Sequence, residues 1–215
     1  MLLRPGPCNQ NKVDLFQFHD SIGVDQESLL TTNDPLTMTE TCPTPSDIEG
    51  AIRNIADFPK PGIQFKDITP VLADPRLFSG CIELLTNHFK PGMVDAVVGI
   101  DARGFIFAAA AAVKLQAGFV PIRKKGKLPY QTHEQEYELE YGTATVAVHV
   151  DALKPGSRVL LLDDLLATGG TAAAAATLVQ RLGAQILEIS FLIELSFLHG
   201  RDKLKNYPIR SLVVY

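Results

Sequence analysis

The stretch LLLDDLLATGGTAAAAA, residues 160–176, sets two adjacent acids between an apolar run and a loop of small residues, and a helix-forming stretch follows at once. The run SRVLLLDD reads as a strand whose apolar stretch, Val159 to Leu162, ends at the two acids. GGTAAAAATLVQRLG reads as the next helix, capped by Gly183. Open α/β sheets bind ligands outside the carboxyl ends of their strands, where this reading places Asp163 and Asp164. Ala167, Gly169 and Gly170 leave backbone N–H groups accessible, and Thr168 and Thr171 add hydroxyls. On a helix N-terminus such a loop is an anion cradle. It is no Walker loop, because the lysine of G-x-x-x-x-G-K-[ST] is missing. Adjacent acids at a buried strand end are costly unless they hold something, and neutral hydroxyls or a metal would suit them. A ribose 5-phosphate offers phosphate to the loop and hydroxyls to the acids.

Working outward, VDAVVGI (94–100) is a second buried strand, DARG its turn, and FIFAAAAAVKLQAG a helix ended by Gly118. FVPIRK is a further strand, TATVAVHV alternates as an antiparallel strand does, and QILEISFLIEL and SLVVY complete the set. Strands alternating with helices predict an α/β domain with a mainly parallel sheet. Upstream, Ser46 is the expected N-cap of a helix over DIEGAIRNIADF, with Glu49 as capping-box partner and Ile48, Ile52 and Ile55 on its apolar face. Residues 58–75, FPKPGIQFKDITPVLADP, read as a Pro- and Gly-punctuated loop, and PRLFSGCIELLTNHF as an amphipathic helix.

Residues 1–44 differ in composition, being rich in Pro, Asn, Gln, Thr and Asp, and read as an appended arm or partly disordered leader. The domain is expected over 45–215, with Met38 as a natural start. A net charge of −4 argues against general nucleic-acid or anionic-membrane binding. Cys8, Cys42 and Cys81 are widely spaced and form no C-x-x-C pattern, which favours a reducing, cytoplasmic setting over a disulfide framework. Residues 1–44 also lack the apolar run of a signal peptide, and no stretch approaches a membrane span.

Positive charge is concentrated locally. Arg103 follows a buried strand and leads into a helix, a placement suited to bidentate phosphate contact. Arg123, Lys124, Lys125 and Lys127 cluster after the next strand, in position to recruit an anionic group. The polar stretch KLPYQTHEQEYELEYG, framed by Gly126, Pro129 and Gly142, suits a mobile lid over about 124–141. His133 among glutamates reads as surface, and His149 as lying on the polar face of its strand.

The segment LLDDLLATGGT resembles the phosphoribosyl pyrophosphate (PRPP) signature of type I phosphoribosyltransferases. FPKPGIQFKDITPVL, GIDARGFIF and IRKKGKLPYQTHEQEYELEYG are similar, in the same order, to segments of the adenine-specific subfamily. The resemblance spans residues 46–215. It implies the type I fold, a mainly parallel twisted sheet flanked by helices, with a mobile catalytic lid and a small adenine-binding hood. It implies transfer of the phosphoribosyl group from PRPP to adenine, giving AMP and pyrophosphate, with Mg2+ held mainly by PRPP and water rather than by a protein-only metal site. Another purine base, or a non-catalytic PRPP sensor, is the alternative.

Carried over residue by residue, Asp163 and Asp164 hold the ribose, and Ala167, Thr168, Gly169, Gly170 and Thr171 bind the 5-phosphate. Asp101, Ala102 and Arg103 address pyrophosphate, with a cis peptide between Asp101 and Ala102. Arg123, Lys124 and Lys127 contact PRPP, Lys125 being the weaker assignment. Glu140 is the acid/base group for the purine nitrogen, with Arg103 assisting catalysis, and Tyr141 steadies the lid. Phe65 stacks on the base opposite Leu165, and the backbone at Gln64 and Lys66 reads its amino edge. Relatives often carry an aliphatic residue at the Gln64 position, so fine specificity there is open. A homodimer is also implied.

Since residues 1–37 lie outside the resemblance, their removal is expected to leave AMP formation intact. A folded, truncated chain without turnover would contradict that reading.

Overall fold

The computed structural model describes residues 42–138 and 142–215. The elements in chain order are α1 (Pro45–Ala51), β1 (Arg53–Ile55), β2 (Phe65–Asp67), α2 (Thr69–Ala73), α3 (Pro75–Thr86), β3 (Ala96–Ile100), α4 (Gly104–Leu115) and β4 (Gly118–Lys124). They continue with β5 (Thr132–Glu138), β6 (Thr143–His149), β7 (Arg158–Leu166), α5 (Gly170–Arg181), β8 (Gln185–Glu194) and β9 (Ile209–Val214). Seven strands form one sheet in the order β5-β6-β4-β3-β7-β8-β9, and β1 pairs with β2 in a separate two-stranded sheet. The run from β4 to β9 is parallel, whereas β6 is antiparallel to both β4 and β5. The expected α/β architecture with a mainly parallel sheet is therefore what forms.

Alternation along the strands divides the core. In β7, Val159 and Leu161 join the cluster formed with Ala175 and Leu178 of α5. Leu160 and Leu162 face the other way, into the cluster that holds Leu85 of α3 and Phe107 and Ala111 of α4. All five residues of β3 are buried, because both faces of that central strand are covered.

Local signals were displaced at several points. The N-cap of α1 is Thr44, not Ser46, and its capping-box partner is Asp47, not Glu49. Pro45 takes the first helical position, where its missing N–H costs nothing, and this moves the cap one residue upstream. The chain leaves the helix at Ile52 and enters β1, so Ile55 is not on the helical face. Residues 58–75 are not all loop, since they contain β2 and α2. Helix α4 ends at Gln116 in a left-handed conformation (φ 53°), and Gly118 instead begins β4. Residues 132–138 of the expected lid form β5, paired with β6 from Thr132↔His149 to Glu138↔Thr143. His149 is partly buried, with Tyr130 edge-on at 6.0 Å and its Nε2 buried without a hydrogen-bond partner, rather than lying on a solvated face.

The expected arm lies, apart from residues 42–44, outside the described residues. Packing of the domain begins before residue 45. Pro43 is buried against Gly80 of α3, where a Cβ would fall 1.9 Å from the Pro43 Cγ.

Gly99 allows α4 to close on β3. A Cβ there would lie 2.7 Å from the Ala108 Cβ and 3.0 Å from Cε2 of Phe119. Gly99→Ala is expected to lower unfolding free energy by about 1–3 kcal/mol through overpacking, read by urea denaturation. An unchanged midpoint and slope would show room at this contact that the packing denies.

Candidate active site

Three strand ends meet on one edge of the sheet. Beyond the ladder of β3 comes the Asp101–Ala102 peptide, which is cis as the resemblance implied, then Arg103 and the start of α4. β4 ends at Lys124, and the glycine turn at Gly126 (φ 79°) follows. From β7 come the acid pair and the small-residue loop. The acids do not terminate β7, as the sequence reading had it. The ladder with β8 continues through Asp163↔Phe191 and Leu165↔Ile193 to Leu166↔Glu194. Strand pairing therefore holds their backbone rigidly.

The loop after β7 encloses a cavity of about 60 Å³ lined by Asp163 and residues 165–172. Gly169 has φ 76° and is the N-cap of α5, with no side chain capping the helix. The first-turn N–H groups of α5 are thus not claimed by a capping side chain, and helix ends in that state attract anions. This is the environment expected for Ala167, Thr168, Gly169, Gly170 and Thr171.

Asp163 and Asp164 touch the turn after β3. The Arg103 Nε lies 2.6 Å from Oδ2 of Asp164, a residue only 7% exposed. Gly104 permits this seating, since a Cβ there would fall 2.5 Å from Oδ1 of Asp163. The Arg103 guanidinium also sits 5.5 Å from the Phe65 ring centroid, within cation–π range. Phe65 in turn meets Phe58 edge-on at 5.0 Å. Thus Phe65, Arg103 and Asp164, far apart in sequence, form one contiguous wall.

The basic cluster divides. Arg123 turns its Nε to Oδ2 of Asp101 (3.3 Å) and donates from Nη1 to the carbonyl of Lys127 (3.2 Å), tying its loop to the turn after β3. Lys125 is engaged with Glu134 at 2.7 Å, while Lys124 and Lys127 are exposed. In β2, Lys66 sends its ammonium to Oδ1 of Asn54 (2.7 Å) and over the Tyr215 ring (3.3 Å). Its side chain is therefore occupied within the protein. Gln64 is exposed, and Leu165 is partly buried against the α3–α4 side of the core. Glu140 and Tyr141 lie outside the described residues.

The sequence reading missed Asp67. Its carboxylate accepts from the N–H and hydroxyl of Thr69 at 2.9 Å each, and it meets Arg53 at 3.4 Å, fixing the turn that carries Phe65 into α2. These bonds, first from the Thr69 N–H and then from its hydroxyl, hold the Asp67 carboxyl below its usual range. Spacing Asp67-x-Thr69 was the available signal, a local side-chain turn.

Burial, and then the charge of Asp164, push the Asp163 carboxyl well above its ordinary range. Burial also raises Asp164, with Arg103 opposing the shift. Both acids are thus placed against their own ionisation, as groups kept for a function are.

The family model for the phosphoribosyl transferase domain matches residues 67–212, a span that takes in all three of these strand ends. An adenine phosphoribosyltransferase of Acidothermus cellulolyticus is 59% identical over 162 residues, covering 75% of this chain and 92% of that protein. The crystal structure of adenine phosphoribosyltransferase from Thermoanaerobacter pseudethanolicus superposes with a TM-score of 0.77 at 51% identity, over 80% of this chain and 100% of the other. That from Saccharomyces cerevisiae, solved with D-2,5-dideoxy-2,5-imino-altritol 1,6-bisphosphate and adenine, gives a TM-score of 0.72 at 40% identity, over 78% and 97%. The chain belongs to the adenine phosphoribosyltransferase family.

The raised Asp163 carboxyl has a signed consequence for stability. Its folded pKa exceeds the ordinary 3.8, so its stabilising contribution is complete below that value and is lost as pH rises through the folded value. Asp163→Asn is therefore expected to match the unaltered chain in acid and to be the more stable at neutral pH. Urea unfolding across the pH range measures this, and a variant less stable at neutral pH than the parent would refute it.

Proposed function

We propose that the chain transfers the 5-phosphoribosyl group of PRPP to adenine, releasing AMP and pyrophosphate, as a purine salvage enzyme. The observation that carries the reading is the wall of Phe65, Arg103 and Asp164 standing beside the anion cradle of α5. It offers a ring for a flat base, carboxylates for a sugar and N–H groups for a phosphate. The Saccharomyces cerevisiae relative holds an imino-altritol bisphosphate and adenine, which supports the same pairing of ligands here.

In this scheme the 5-phosphate sits on residues 167–171, donated to by their N–H groups and the Thr168 and Thr171 hydroxyls. Asp163 and Asp164 accept from the ribose hydroxyls. Adenine lies between Phe65 and Leu165, with its amino edge on the backbone of Gln64 and Lys66. The purine nitrogen bonds to the anomeric carbon as the bond from that carbon to pyrophosphate breaks, with inversion, and the sugar carries oxocarbenium character in between. Arg103, Arg123, Lys124 and Lys127, with the Asp101–Ala102 backbone, gather the negative charge that leaves on pyrophosphate. Glu140 takes the proton from the purine imidazole ring. Positioning of two bound reactants supplies much of the remaining acceleration.

Mg2+ would be held mainly by PRPP oxygens and water and would supply neutralisation of charge on the pyrophosphate. It prefers phosphate oxygens and water, and Asp164 is already paired with Arg103, so the carboxylates here suit the sugar better than a dedicated metal cage. A homodimer working in the cytoplasm completes the proposal. Among the described residues no helix is long and apolar enough to cross a membrane.

The decisive assay follows nucleotide formation from PRPP with adenine, hypoxanthine, guanine and xanthine in turn. AMP is expected from adenine, with Glu140→Gln strongly impaired in kcat. Phe65→Ala is expected to raise the adenine KM by about tenfold or more, from loss of roughly 1–3 kcal/mol of stacking. Turnover with guanine alone would overturn the base assignment, and no turnover with any base would favour a PRPP sensor.

A further inference from the structure

We propose that Arg201 is a positioning residue for the phosphate loop, holding Gly200 as a fixed backstop beneath it. The inference rests on the reading of that loop as the 5-phosphate site. Two 3-10 turns, Ser196–Leu198 and Gly200–Leu204, follow β8, and His199 joins them in a left-handed conformation (φ 53°). Gly200 is buried against the loop after β7. A Cβ on Gly169 would fall 2.3 Å from the Gly200 carbonyl oxygen. A Cβ on Gly200 would fall 2.2 Å from the carbonyl oxygen of Ala167 and 3.1 Å from the Gly169 nitrogen. Both glycines are thus required by one backbone-on-backbone contact, which no larger residue on either side permits. The cavity over the loop is lined by Asp163 and residues 165–172, so Gly200 supports the loop without facing a ligand.

A backstop must itself be anchored, and Arg201 supplies the anchor. Its Nε and Nη2 donate to the two oxygens of Glu194 at 2.7 and 2.6 Å, a bidentate fork. Glu194, 5% exposed at the end of β8, also accepts from the Ser211 hydroxyl of β9 at 2.6 Å. The N–H of Leu195 donates to the Leu166 carbonyl at 2.9 Å, fastening the same strand end to β7. The fork therefore locks residue 200 to the two strands beside the loop. An anion cradle built mainly from backbone N–H groups depends on such rigidity, because backbone donors cannot readjust to follow the phosphate as a long side chain can.

The test is the affinity for ribose 5-phosphate by titration calorimetry, alongside thermal unfolding. That reading of the chain as an enzyme is decided by AMP formation from the unaltered protein, whereas the backstop is read from binding directly. Arg201→Lys keeps the charge and loses the fork. It and Gly200→Ala are expected to weaken ribose 5-phosphate by at least about tenfold, as displacement of a binding group by a fraction of an ångström does. In turnover the PRPP KM should rise while the adenine KM stays within about twofold. Arg210→Lys is the control: it loosens another Arg–Glu pair of the same sheet, from Arg210 of β9 to Glu188 of β8 at 3.2 Å and away from the loop, and should lower the melting temperature without altering affinity. Ser211→Ala retains the ion pair and is expected to weaken binding by about threefold, so it carries the test should Arg201→Lys fail to fold. Unchanged affinity in the folded variants, or an equal loss in Arg210→Lys, would overturn the proposal.

Discussion

The contact between Arg103 and Asp164 organises the ligand edge of this protein. It joins the turn after β3 to the middle of β7 across two parallel strands, with nitrogen and oxygen 2.6 Å apart. Asp164 is nearly buried, and an unpaired carboxylate there would be expensive. The guanidinium offsets that cost while leaving its other face toward Phe65. One side chain thereby joins the Phe65 ring, the acid pair and the turn after β3.

The acid pair is held against the fold's own preference. Burial disfavours ionisation of both carboxyls, and Asp163 is further opposed by its neighbour. The parallel ladder through Leu166 prevents the chain from relieving that conflict by moving the acids into solvent. Sites that bind charged or polar groups commonly store such local cost in a rigid scaffold, and stability is given up for readiness. Gly104 and Gly169 serve the same end, because each admits a backbone or carboxylate approach that any Cβ would block.

Much of the fold was legible before any coordinates. The nearly all-apolar run at 94–100 suited a parallel strand covered on both faces, and the β3 residues 96–100 within it are all buried. The uncapped helix start after the small-residue loop was legible because it is local: Gly169, Gly170 and the first residues of α5 lie within a few positions of one another. Boundaries were less legible, since they depend on neighbours. Thr44 displaced Ser46 as cap because Pro45 fits the first helical position. The acids entered the ladder because β8 runs on beside them, and residues 132–138 became a strand because β6 offered a partner edge.

From the sequence alone came the chemical inventory: which strand ends carry acids, which carry Arg103 and the basic cluster, and which loop is bare enough for phosphate. These are properties of residue type and short-range order, so they are written locally. Only the tertiary structure decided which of these groups meet. Asp67 as the brace of the Phe65 turn, Gly104 beneath Asp163, and Gly200 beneath the phosphate loop all depend on contacts between distant segments. Such contacts arise when packed layers bring strand ends together, and no periodicity or spacing along the chain encodes a distance across the sheet.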